Sequence, residues 1–454
     1  MSVSLCLFTA DLRLHDNPVL AAAVRDSEQV VPLFVVDDGV RAAGFDVPNR
    51  RAFLADCLAD LDAGLRQRGG RLVVRCGPVV REVCALAAET GAQQVHVAAG
   101  SSAYARRREE RLAAALTAQG CDLRVHEAVA TVVAPGAHVP QDGDHFAVFT
   151  PYFRRWQGAA IRGLAPVPRR IDVPAGVASA PLPERTAVAG VSPGLGNGGE
   201  REARSRLAAW LPDGLIHYAD HQAELAADAT SRLSAHLHFG SLSATELVHR
   251  ARAMDGAGAD AFVRQLAWRD FHHQVLAARP RSASVDYRPR QDRWRRAERE
   301  VQAWRDGRTG YPVIDAAMRQ LRYEGWLPGR ARLLAASFLT KTLYLDWRTG
   351  ARHFLDLLVD GDVANNQLNW QWAAGTGTDT RPNRVLNPVV QAKRHDPHGA
   401  YVRRWVPELS ALDGPAIHEP WKLPAPERAR FDYPHPLVQL ADGLRRFQRA
   451  RSRG

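Results

Sequence analysis

Residues 3–36, VSLCLFTADLRLHDNPVLAAAVRDSEQVVPLFVV, contain two short apolar runs separated by a longer mixed stretch. Amphipathic stretches follow at 51–68 and 103–119, and they alternate with three more apolar runs: RLVVRC (71–76), QVHVAA (94–99) and LRVHEAV (123–129). This alternation is typical of a parallel sheet with crossover helices. The sequence therefore predicts a doubly wound, Rossmann-like α/β domain over residues 1–130.

The first strand-to-helix turn of this domain, TADLRLHDNP (9–18), lacks the GxGxxG pattern of dinucleotide-binding folds. A flavin or nicotinamide held in the Rossmann manner is therefore not expected here. All five cysteines lie in this domain and none forms a CxxC pair: Cys6, Cys57, Cys76, Cys84 and Cys121. We expect reduced, mostly buried thiols and no zinc, iron–sulfur or other metal site.

Residues 131–199 are rich in proline, glycine and valine, which predicts an interdomain linker with one ordered segment, HFAVFTPYFRRWQ (145–157). The GLGNGG cluster (194–199) follows no strand and precedes no Lys-Ser/Thr pair, so we assign it to the linker and not to a phosphate loop. Helical spacing then appears at 201–211, 245–254, 260–278, 316–327 and 330–345. An all-α domain over 200–454 is predicted, and ten of the 11 tryptophans lie in it.

The net charge of +11 favours an acidic partner such as nucleic acid. Lysine occurs only at Lys341, Lys393 and Lys422. Arginine suits bidentate phosphate contact, although a compositional bias of the coding sequence gives the same pattern. The N-terminal residues lack a signal-peptide pattern, and no run of about 18 apolar residues occurs. We expect a soluble cytoplasmic protein that does not enter a membrane.

The segment 360–387, DGDVANNQLNWQWAAGTGTDTRPNRVLN, combines carboxylates, amides and tryptophans. Asp360 and Asp362 can accept hydrogen bonds from ribose hydroxyls or ring N–H groups, and Asn366 can donate or accept. Trp370 and Trp372 offer flat apolar surfaces beside them. The composition predicts a buried cofactor site, and the alternative is a surface loop with two core tryptophans.

Hydroxyls and backbone N–H groups also cluster at Tyr218 and at TSRLS (230–234), ahead of a helix predicted from Ser243. Such groups receive phosphate oxygens at helix starts. An ordinary serine-threonine turn is the alternative.

Six motifs occur in an order and spacing that resemble the photolyase and cryptochrome family, and they cover nearly the whole chain. They are FTADLRLHDNPVLAAA (8–23), TSRLSAHLHFG (230–240), AWRDFHHQ (267–274), TGYPVIDAAMRQL (309–321), ASFLTKTLYLDWR (336–348) and the 360–387 segment. The resemblance is closest to class I cyclobutane pyrimidine dimer photolyases of the deazaflavin-antenna type, because of NRRAFLADCLADLDAGL (49–65). It implies an antenna domain followed by a helical FAD-binding domain.

The resemblance also implies site residues. FAD in a folded U shape would be held by Tyr218, Thr230, Ser231, Arg232, Leu233, Ser234, Arg269, Arg332, Asp360, Asp362 and Asn366. In this set Arg332 is the ion-pair partner of Asp360. Asn366 faces flavin N5, where a neutral amide favours the reduced anionic flavin of repair enzymes. Trp294, Trp347 and Trp370 match the chain that carries an electron from the surface to the flavin, with three core tryptophans as the alternative.

On the lesion side, the resemblance assigns Trp268 and Trp372 to the aromatic wall of a pocket for a flipped-out dimer, with Gln265 and Arg330 as further substrate or DNA contacts. The arginines between Arg281 and Arg299 are expected to follow DNA phosphates, or else to form a solvated basic face.

Three pocket positions, Gln265, Gly329 and Leu333, depart from the family pattern, and so does Pro328 beside Gly329. Gln265 replaces a glutamate, and Leu333 replaces a methionine. Pro328 and Gly329 replace the histidine and asparagine of a WMHNR motif, which removes a polar lesion contact. The paired histidines of six-four photolyases, expected at 329 and 333, are also missing.

The resemblance as a whole implies a deoxyribodipyrimidine photolyase, a carbon–carbon lyase, that repairs damaged DNA by light-driven electron transfer from reduced FAD. One alternative is a cryptochrome-type blue-light photoreceptor with little or no repair activity. Another is a basic DNA-binding protein with a vestigial flavin site. The expected antenna is an 8-hydroxy-5-deazaflavin with Arg50 as a contact, with folate or no antenna left open. We expect a monomer.

Overall fold

The computed structural model of the protein describes residues 1–452. The chain divides into two compact units. Unit 1 comprises Met1–Val191, Gly196–Ile216 and Ser231–Pro280, and unit 2 comprises Ser192–Leu195, His217–Thr230 and the chain from Arg281 onward. Among the described residues, no helix combines the length and apolar character needed to cross a membrane.

Unit 1 contains a five-stranded sheet in which every strand pair is parallel. The strands are β1 (Val3–Leu7), β2 (Gln29–Asp37), β3 (Val73–Gly77), β4 (Gln94–Ala98) and β5 (Asp122–His126). Their order is β3-β2-β1-β4-β5, so the chain winds outward from β1 in both directions. All five residues of β1 are buried, as expected of a strand covered on both faces. The predicted doubly wound α/β fold is confirmed, and each predicted apolar run overlaps a strand.

The described residues include twenty α-helices. They are α1 (Pro18–Asp26), α2 (Asp38–Ala42), α3 (Pro48–Arg66), α4 (Val79–Thr90), α5 (Ala103–Thr117), α6 (Phe149–Gln157), α7 (Glu200–Gly214), α8 (Tyr218–His221), α9 (Ser234–Phe239), α10 (Ala244–Met254), α11 (Ala257–Ala278), α12 (Glu298–Arg305), α13 (Pro312–Glu324), α14 (Gly329–Ser337), α15 (Trp347–Leu357), α16 (Val363–Ala374), α17 (Pro388–His395), α18 (Ala400–Trp405), α19 (Ala425–Arg428) and α20 (Leu440–Arg451). Unit 1 holds α1–α7 and α9–α11, and unit 2 holds α8 and α12–α20.

Local sequence explains where several helices begin. Asn17 caps α1 by accepting from Leu20 N–H at 3.0 Å, and Pro18 occupies the first helical position. Ser243 caps α10 in the same way, at the predicted place. The short α9, which begins at Ser234, was not predicted. The ordered segment expected within the linker is α6.

The helix predicted over 330–345 is shorter than expected. It ends as α14 at Ser337, and one π turn follows over Phe338–Thr342. The hydroxyl of Thr340 donates to Ala336 O at 2.7 Å, so it competes for the carbonyl group that the regular helix would use. Tyr344 then adopts a left-handed conformation with φ 57°, which turns the chain into α15.

Part of the predicted linker is anchored within unit 1. Ile171 N–H donates to Arg68 O at 2.8 Å, and Ala180 N–H donates to Val74 O at 2.8 Å. Asp16 accepts from Ala165 N–H at 2.8 Å and also pairs with Arg162. These bonds fix the extended linker against the α/β fold, although it has little secondary structure of its own.

A large apolar cluster forms the centre of unit 2. Trp304, Trp347 and Trp370 lie in it, each no more than 2% exposed. Burying a large apolar side chain stabilises a fold by about 1.5–3 kcal/mol. These tryptophans therefore contribute to stability as well as to any chemistry.

Candidate cofactor and electron-transfer site

Helix α16 and its N-cap carry most of the residues predicted for the cofactor site in the 360–387 segment. Asp362 caps it, with Oδ1 accepting from Ala364 N–H at 2.7 Å and Oδ2 accepting from the Asn365 side chain at 2.6 Å. Asn366 and Trp370 are four residues apart, so they lie on one face of the helix, and both are buried. Trp372 lies off that face and is partly exposed.

The amide of Asn366 has a defined orientation. Its Nδ2 donates to Ala351 O at 3.0 Å and to Gln367 Oε1 at 2.9 Å. These two bonds use both donors of the amide and leave the carbonyl oxygen, Oδ1, as the group that can meet a ligand. A carbonyl oxygen accepts hydrogen bonds, so this position suits a ligand atom that carries a proton.

Asp360 and Arg332 form the predicted ion pair. Arg332 Nη2 lies 2.7 Å from Asp360 Oδ2, and Arg332 Nε donates to Leu327 O at 2.8 Å. Asp360 Oδ1 is buried and has no hydrogen-bond partner among the residues that the structure describes. A buried acceptor without a partner is unusual in folded proteins and indicates a place for a ligand donor.

Other buried polar atoms of unit 2 also lack a hydrogen-bond partner in the described part of the chain, among them Thr230 Oγ1, Thr376 Oγ1, Thr378 Oγ1 and Arg330 Nε. Tyr218 is buried in α8, and burial raises the pKa of its hydroxyl to about 12. The hydroxyl is therefore neutral and able to donate a hydrogen bond. The threonine hydroxyls, the Asp360 oxygen and the Arg330 nitrogen without partners are of the chemical types that a large polar cofactor such as a flavin dinucleotide binds.

The remaining predicted cofactor residues lie in unit 1. Ser231 Oγ accepts from Leu233 N–H at 3.4 Å, and Arg232 adopts a left-handed φ of 53° immediately before α9. Ser234 is the first residue of α9. On α11, Arg269 donates to the backbone carbonyls of Ala130 and Leu237. The 230–234 segment thus leads into α9, a helix that the sequence did not predict, because the expected helix began only at Ser243.

The predicted lesion-wall residue Trp268 has one ring face covered. Phe149 stacks on it with ring centroids 3.7 Å apart and planes 5° apart. The guanidinium of Arg264 lies 5.0 Å from the centroid of the Phe149 ring. Gln265 is exposed on the same helix, α11. Sequence reasoning did not identify Phe149, although it recognised the segment that carries it.

The three predicted electron-transfer tryptophans lie in unit 2. Trp347 is fully buried, and its Nε1 donates to Asp286 Oδ1 at 2.8 Å. Trp370 is 2% exposed and packs against Gly350, where any added Cβ atom would come within 2.1 Å of the indole. Trp294 is partly exposed. Two of the three indoles are therefore buried, and one is accessible to solvent.

Two further aromatic residues contact these tryptophans, and the sequence did not predict either of them. Trp304 meets Trp370 edge to face with ring centroids 5.9 Å apart. Tyr344 lies 5.0 Å from Trp294, ring centroid to ring centroid. Only the folded arrangement distinguishes these two from the other aromatic side chains of the chain.

The structure divides the basic segment 281–299 into exposed and engaged arginines. Arg295 pairs with Glu300 at 2.9 Å, and Arg288 donates to Asp379 O at 3.4 Å. The others are exposed and make no ion pair in the part of the chain that the structure describes: Arg281, Arg290, Arg293, Arg296 and Arg299. These five are available to meet an anionic partner.

A second basic cluster surrounds Arg330. Burial, together with the positive charges of Arg394 and Arg384, lowers the pKa of Arg330. The guanidinium of Arg384 also lies 5.3 Å from the ring centroid of Trp372. Three neighbouring cations beside an aromatic ring form a site that an anion would stabilise. Gly329, the exposed first residue of α14, precedes this cluster, and a Cβ atom added there would meet no atom within 4 Å.

Known proteins resemble this chain along nearly its whole length. Residues 4–172 match the family model described as DNA photolyase, and residues 262–453 match the one described as FAD binding domain of DNA photolyase. The chain is 65% identical to the deoxyribodipyrimidine photo-lyase of Streptomyces griseus over 99% of both chains.

Two solved structures extend the likeness to the fold. A bacterial class III photolyase from Agrobacterium tumefaciens is 30% identical, with a TM-score of 0.92, 100% of this chain covered and 98% of that chain. An archaeal photolyase from Sulfolobus tokodaii with two FAD molecules is 28% identical, with a TM-score of 0.88 and full coverage of both chains. The family resemblance found in the sequence is confirmed: the chain belongs to the DNA photolyase family.

Proposed function

We propose that the protein is a deoxyribodipyrimidine photolyase, which uses light and FAD to split cyclobutane pyrimidine dimers in damaged DNA. The observation that carries this proposal is the 65% identity to the Streptomyces griseus photo-lyase over 99% of both chains. The unsatisfied polar atoms of unit 2 support a cofactor of the size and polarity of FAD.

Reduced FAD, when bound, supplies the photoexcited electron that opens the dimer ring. The protein's part is to hold and tune that cofactor. We assign Asp360 to a cofactor donor group, because Arg332 satisfies one of its oxygens and leaves the other without a partner. Asn366 presents its carbonyl oxygen, which accepts from a protonated ring nitrogen and so favours the reduced cofactor.

The tryptophans give the protein a way to restore the reduced cofactor after adventitious oxidation. Trp370 and Trp347 are buried on α16 and α15, while Trp294 is partly exposed. We propose that an electron passes from Trp294 through Trp347 to Trp370. The hydrogen bond from Trp347 to Asp286 stabilises positive charge on this indole, which supports its role as an intermediate carrier.

We propose that DNA binds through cations that the structure leaves without carboxylate partners. The exposed arginines between Arg281 and Arg299 suit phosphate contact, and the cluster of Arg330, Arg384 and Arg394 suits a phosphate close to the flipped lesion. Trp268, Trp372 and Gln265 remain the proposed pocket residues. Trp268 would offer the lesion the face that Phe149 does not cover.

A cryptochrome-type photoreceptor is the second candidate, because Gln265, Pro328, Gly329 and Leu333 depart from the usual dimer pocket. The deciding experiment measures loss of dimers from a defined oligonucleotide under blue light, with the dark reaction as the control. Light-dependent repair supports the photolyase. Flavin photoreduction without repair supports the photoreceptor, and a colourless protein that binds DNA supports neither flavin function.

We further propose residues 1–130 as an antenna domain, 131–199 as the linker and 200–454 as the catalytic domain. Arg50 is the candidate antenna contact. It is buried, its Nε donates to Phe45 O at 3.1 Å, and its guanidinium lies 5.4 Å from the centroid of the Phe45 ring. Mass spectrometry of chromophores released from the purified protein would distinguish a deazaflavin from folate or a second flavin. The monomeric state and cytoplasmic location remain predictions.

A further inference from the structure

Tyr344 lies against the outermost of the three electron-transfer tryptophans. Its ring centroid is 5.0 Å from that of Trp294, with the planes inclined by 42°. Tyr344 is 4% exposed, whereas Trp294 is partly exposed. The left-handed backbone at Tyr344, φ 57°, is uncommon for an aromatic residue and holds the ring at this corner before α15. The contact is therefore a fixed feature of unit 2.

The hydroxyl of Tyr344 has a carboxylate as its hydrogen-bond acceptor. It donates to Asp292 Oδ1 at 2.9 Å. The other oxygen, Asp292 Oδ2, lies 3.1 Å from Arg451 Nη2, and the side chains of this ion pair are only 1% and 6% exposed. Arg451 also donates to Ala374 O at 2.7 Å, which holds the guanidinium in place. The ion pair with Arg451 thus holds the Asp292 carboxylate where it can accept the phenol proton of Tyr344.

Burial makes this pair suited to proton transfer. It raises the pKa of Asp292, so this carboxylate is a stronger base than an ordinary aspartate. Burial and the adjacent Asp292 raise the pKa of Tyr344 to about 12, so the phenol keeps its proton in the resting protein. A phenol that loses an electron becomes a strong acid, and a hydrogen-bonded base then takes its proton without rearrangement.

We propose that Tyr344 is the terminal electron donor of the tryptophan chain. This inference rests on the proposed electron path through Trp294. Once Trp294 has lost an electron, Tyr344 gives it one and simultaneously passes its hydroxyl proton to Asp292. Trp294 returns to its neutral form, Tyr344 becomes a neutral phenoxyl radical, and Asp292 becomes a neutral carboxylic acid beside Arg451. One electron and one proton move, so charge and atoms balance.

The step has a consequence for the lifetime of charge separation. Return of the electron from the cofactor would require the proton to move back from Asp292, so we expect recombination to be slower than from Trp294 alone. External reductants then have longer to reduce the phenoxyl radical.

The test follows the FAD-loaded protein after a blue flash, by transient absorption and by electron paramagnetic resonance with ring-deuterated tyrosine. We expect a tryptophan radical that converts to a tyrosine radical, more slowly in D2O. Tyr344→Phe should abolish the tyrosine signal and leave the tryptophan signal. Asp292→Asn should keep the phenol but make its oxidation several times slower.

A tyrosine signal that persists in Tyr344→Phe, or a parent protein that forms none, would overturn the inference. If Tyr344→Phe fails to fold, the D2O comparison and the Asp292→Asn variant still decide. Tyrosine oxidation that is as fast in D2O as in water, and as fast in Asp292→Asn as in the parent, would contradict proton transfer to Asp292. Repair by chemically reduced Tyr344→Phe should equal that of the parent. A parent that forms the tyrosine radical but repairs no dimer would refute the proposed function and leave this inference standing.

Discussion

The indole N–H of Trp347 donates to Asp286 Oδ1 at 2.8 Å, in a position where neither group is well exposed to water. The carboxylate stabilises positive charge on the indole. Arg348 opposes this effect in part, because its Nη2 lies 2.8 Å from the same Asp286 oxygen and its guanidinium lies 4.7 Å from the centroid of the Trp347 ring. The balance between these two charges sets how readily Trp347 loses an electron.

We expect Asp286→Asn to slow the oxidation of Trp347, because a neutral amide stabilises the oxidised indole less than a carboxylate does. A net loss of about 1.4 kcal/mol corresponds to about tenfold in rate. Asp346→Asn is the matched control. Asp346 also pairs with Arg348 and caps α15, but it makes no hydrogen bond to Trp347, and asparagine caps helices equally well. Equal transient kinetics in the two variants would remove Asp286 from this role.

Trp370→Phe should keep FAD bound but reduce the rate of flavin photoreduction by external donors by about tenfold or more, equivalent to at least about 1.4 kcal/mol in the barrier. The reason is its position on α16, on the same face as Asn366. Trp304→Phe controls for packing, since Trp304 is fully buried and touches Trp370 without belonging to the proposed path. Photoreduction that is equally slow in both variants would indicate a packing effect and not a missing electron carrier.

Asn366→Asp should move the absorption spectrum recorded during illumination toward the form protonated at N5. A carboxylic acid can supply a proton there, whereas the carbonyl oxygen of Asn366 can only accept. The variant also loses the donor to Ala351 O, which costs about 0.5–1.5 kcal/mol of stability. Asn365→Asp, one residue earlier and bonded to Asp362, provides the control. Identical spectra for the parent and Asn366→Asp would show that residue 366 does not face flavin N5.

The sequence predicted the sheet because apolar runs and crossover helices leave a periodic signal that depends on neighbours along the chain. The same holds for Ser243 as the cap of α10. The stacking of Phe149 on Trp268 and the contact of Tyr344 with Trp294 join residues 119 and 50 positions apart, as their numbers show, and have no local signal. The π turn was missed because its cause is a single hydroxyl, that of Thr340, bonded to a carbonyl group.

Binding to dimer-containing DNA should weaken steeply with salt, with a slope of about −0.9 in log affinity for each neutralised phosphate. The double variant Arg290→Gln with Arg293→Gln should flatten the slope by about two units, because both arginines are exposed and make no ion pair in the described structure. Arg295→Gln is the control, since Glu300 already neutralises this arginine. If Arg295→Gln flattens the slope as much as the double variant does, the ion pair with Glu300 does not prevent an arginine from contacting phosphate.

The departures at Pro328, Gly329 and Leu333 allow a gain-of-affinity test. Gly329 is exposed at the start of α14, and a Cβ atom there meets nothing within 4 Å, so Gly329→Asn fits without displacing a neighbour. Leu333→Met replaces a partly exposed side chain by one of similar volume. Pro328→His belongs in the same protein, because the fixed φ of proline at the helix start restricts how the new side chain can be presented.

We expect the triple variant to bind dimer-containing DNA more tightly, because it regains a hydrogen-bond donor toward the lesion. One such bond is worth about 0.5–1.5 kcal/mol, or about two- to tenfold in Kd. Undamaged DNA of the same sequence is the control, and its affinity should not change, since a contact to the lesion does not alter phosphate binding. If the parent repairs dimers efficiently and the triple variant gains nothing, other residues already supply the contact. If neither protein repairs while both photoreduce their flavin, the photoreceptor function accounts for the altered pocket.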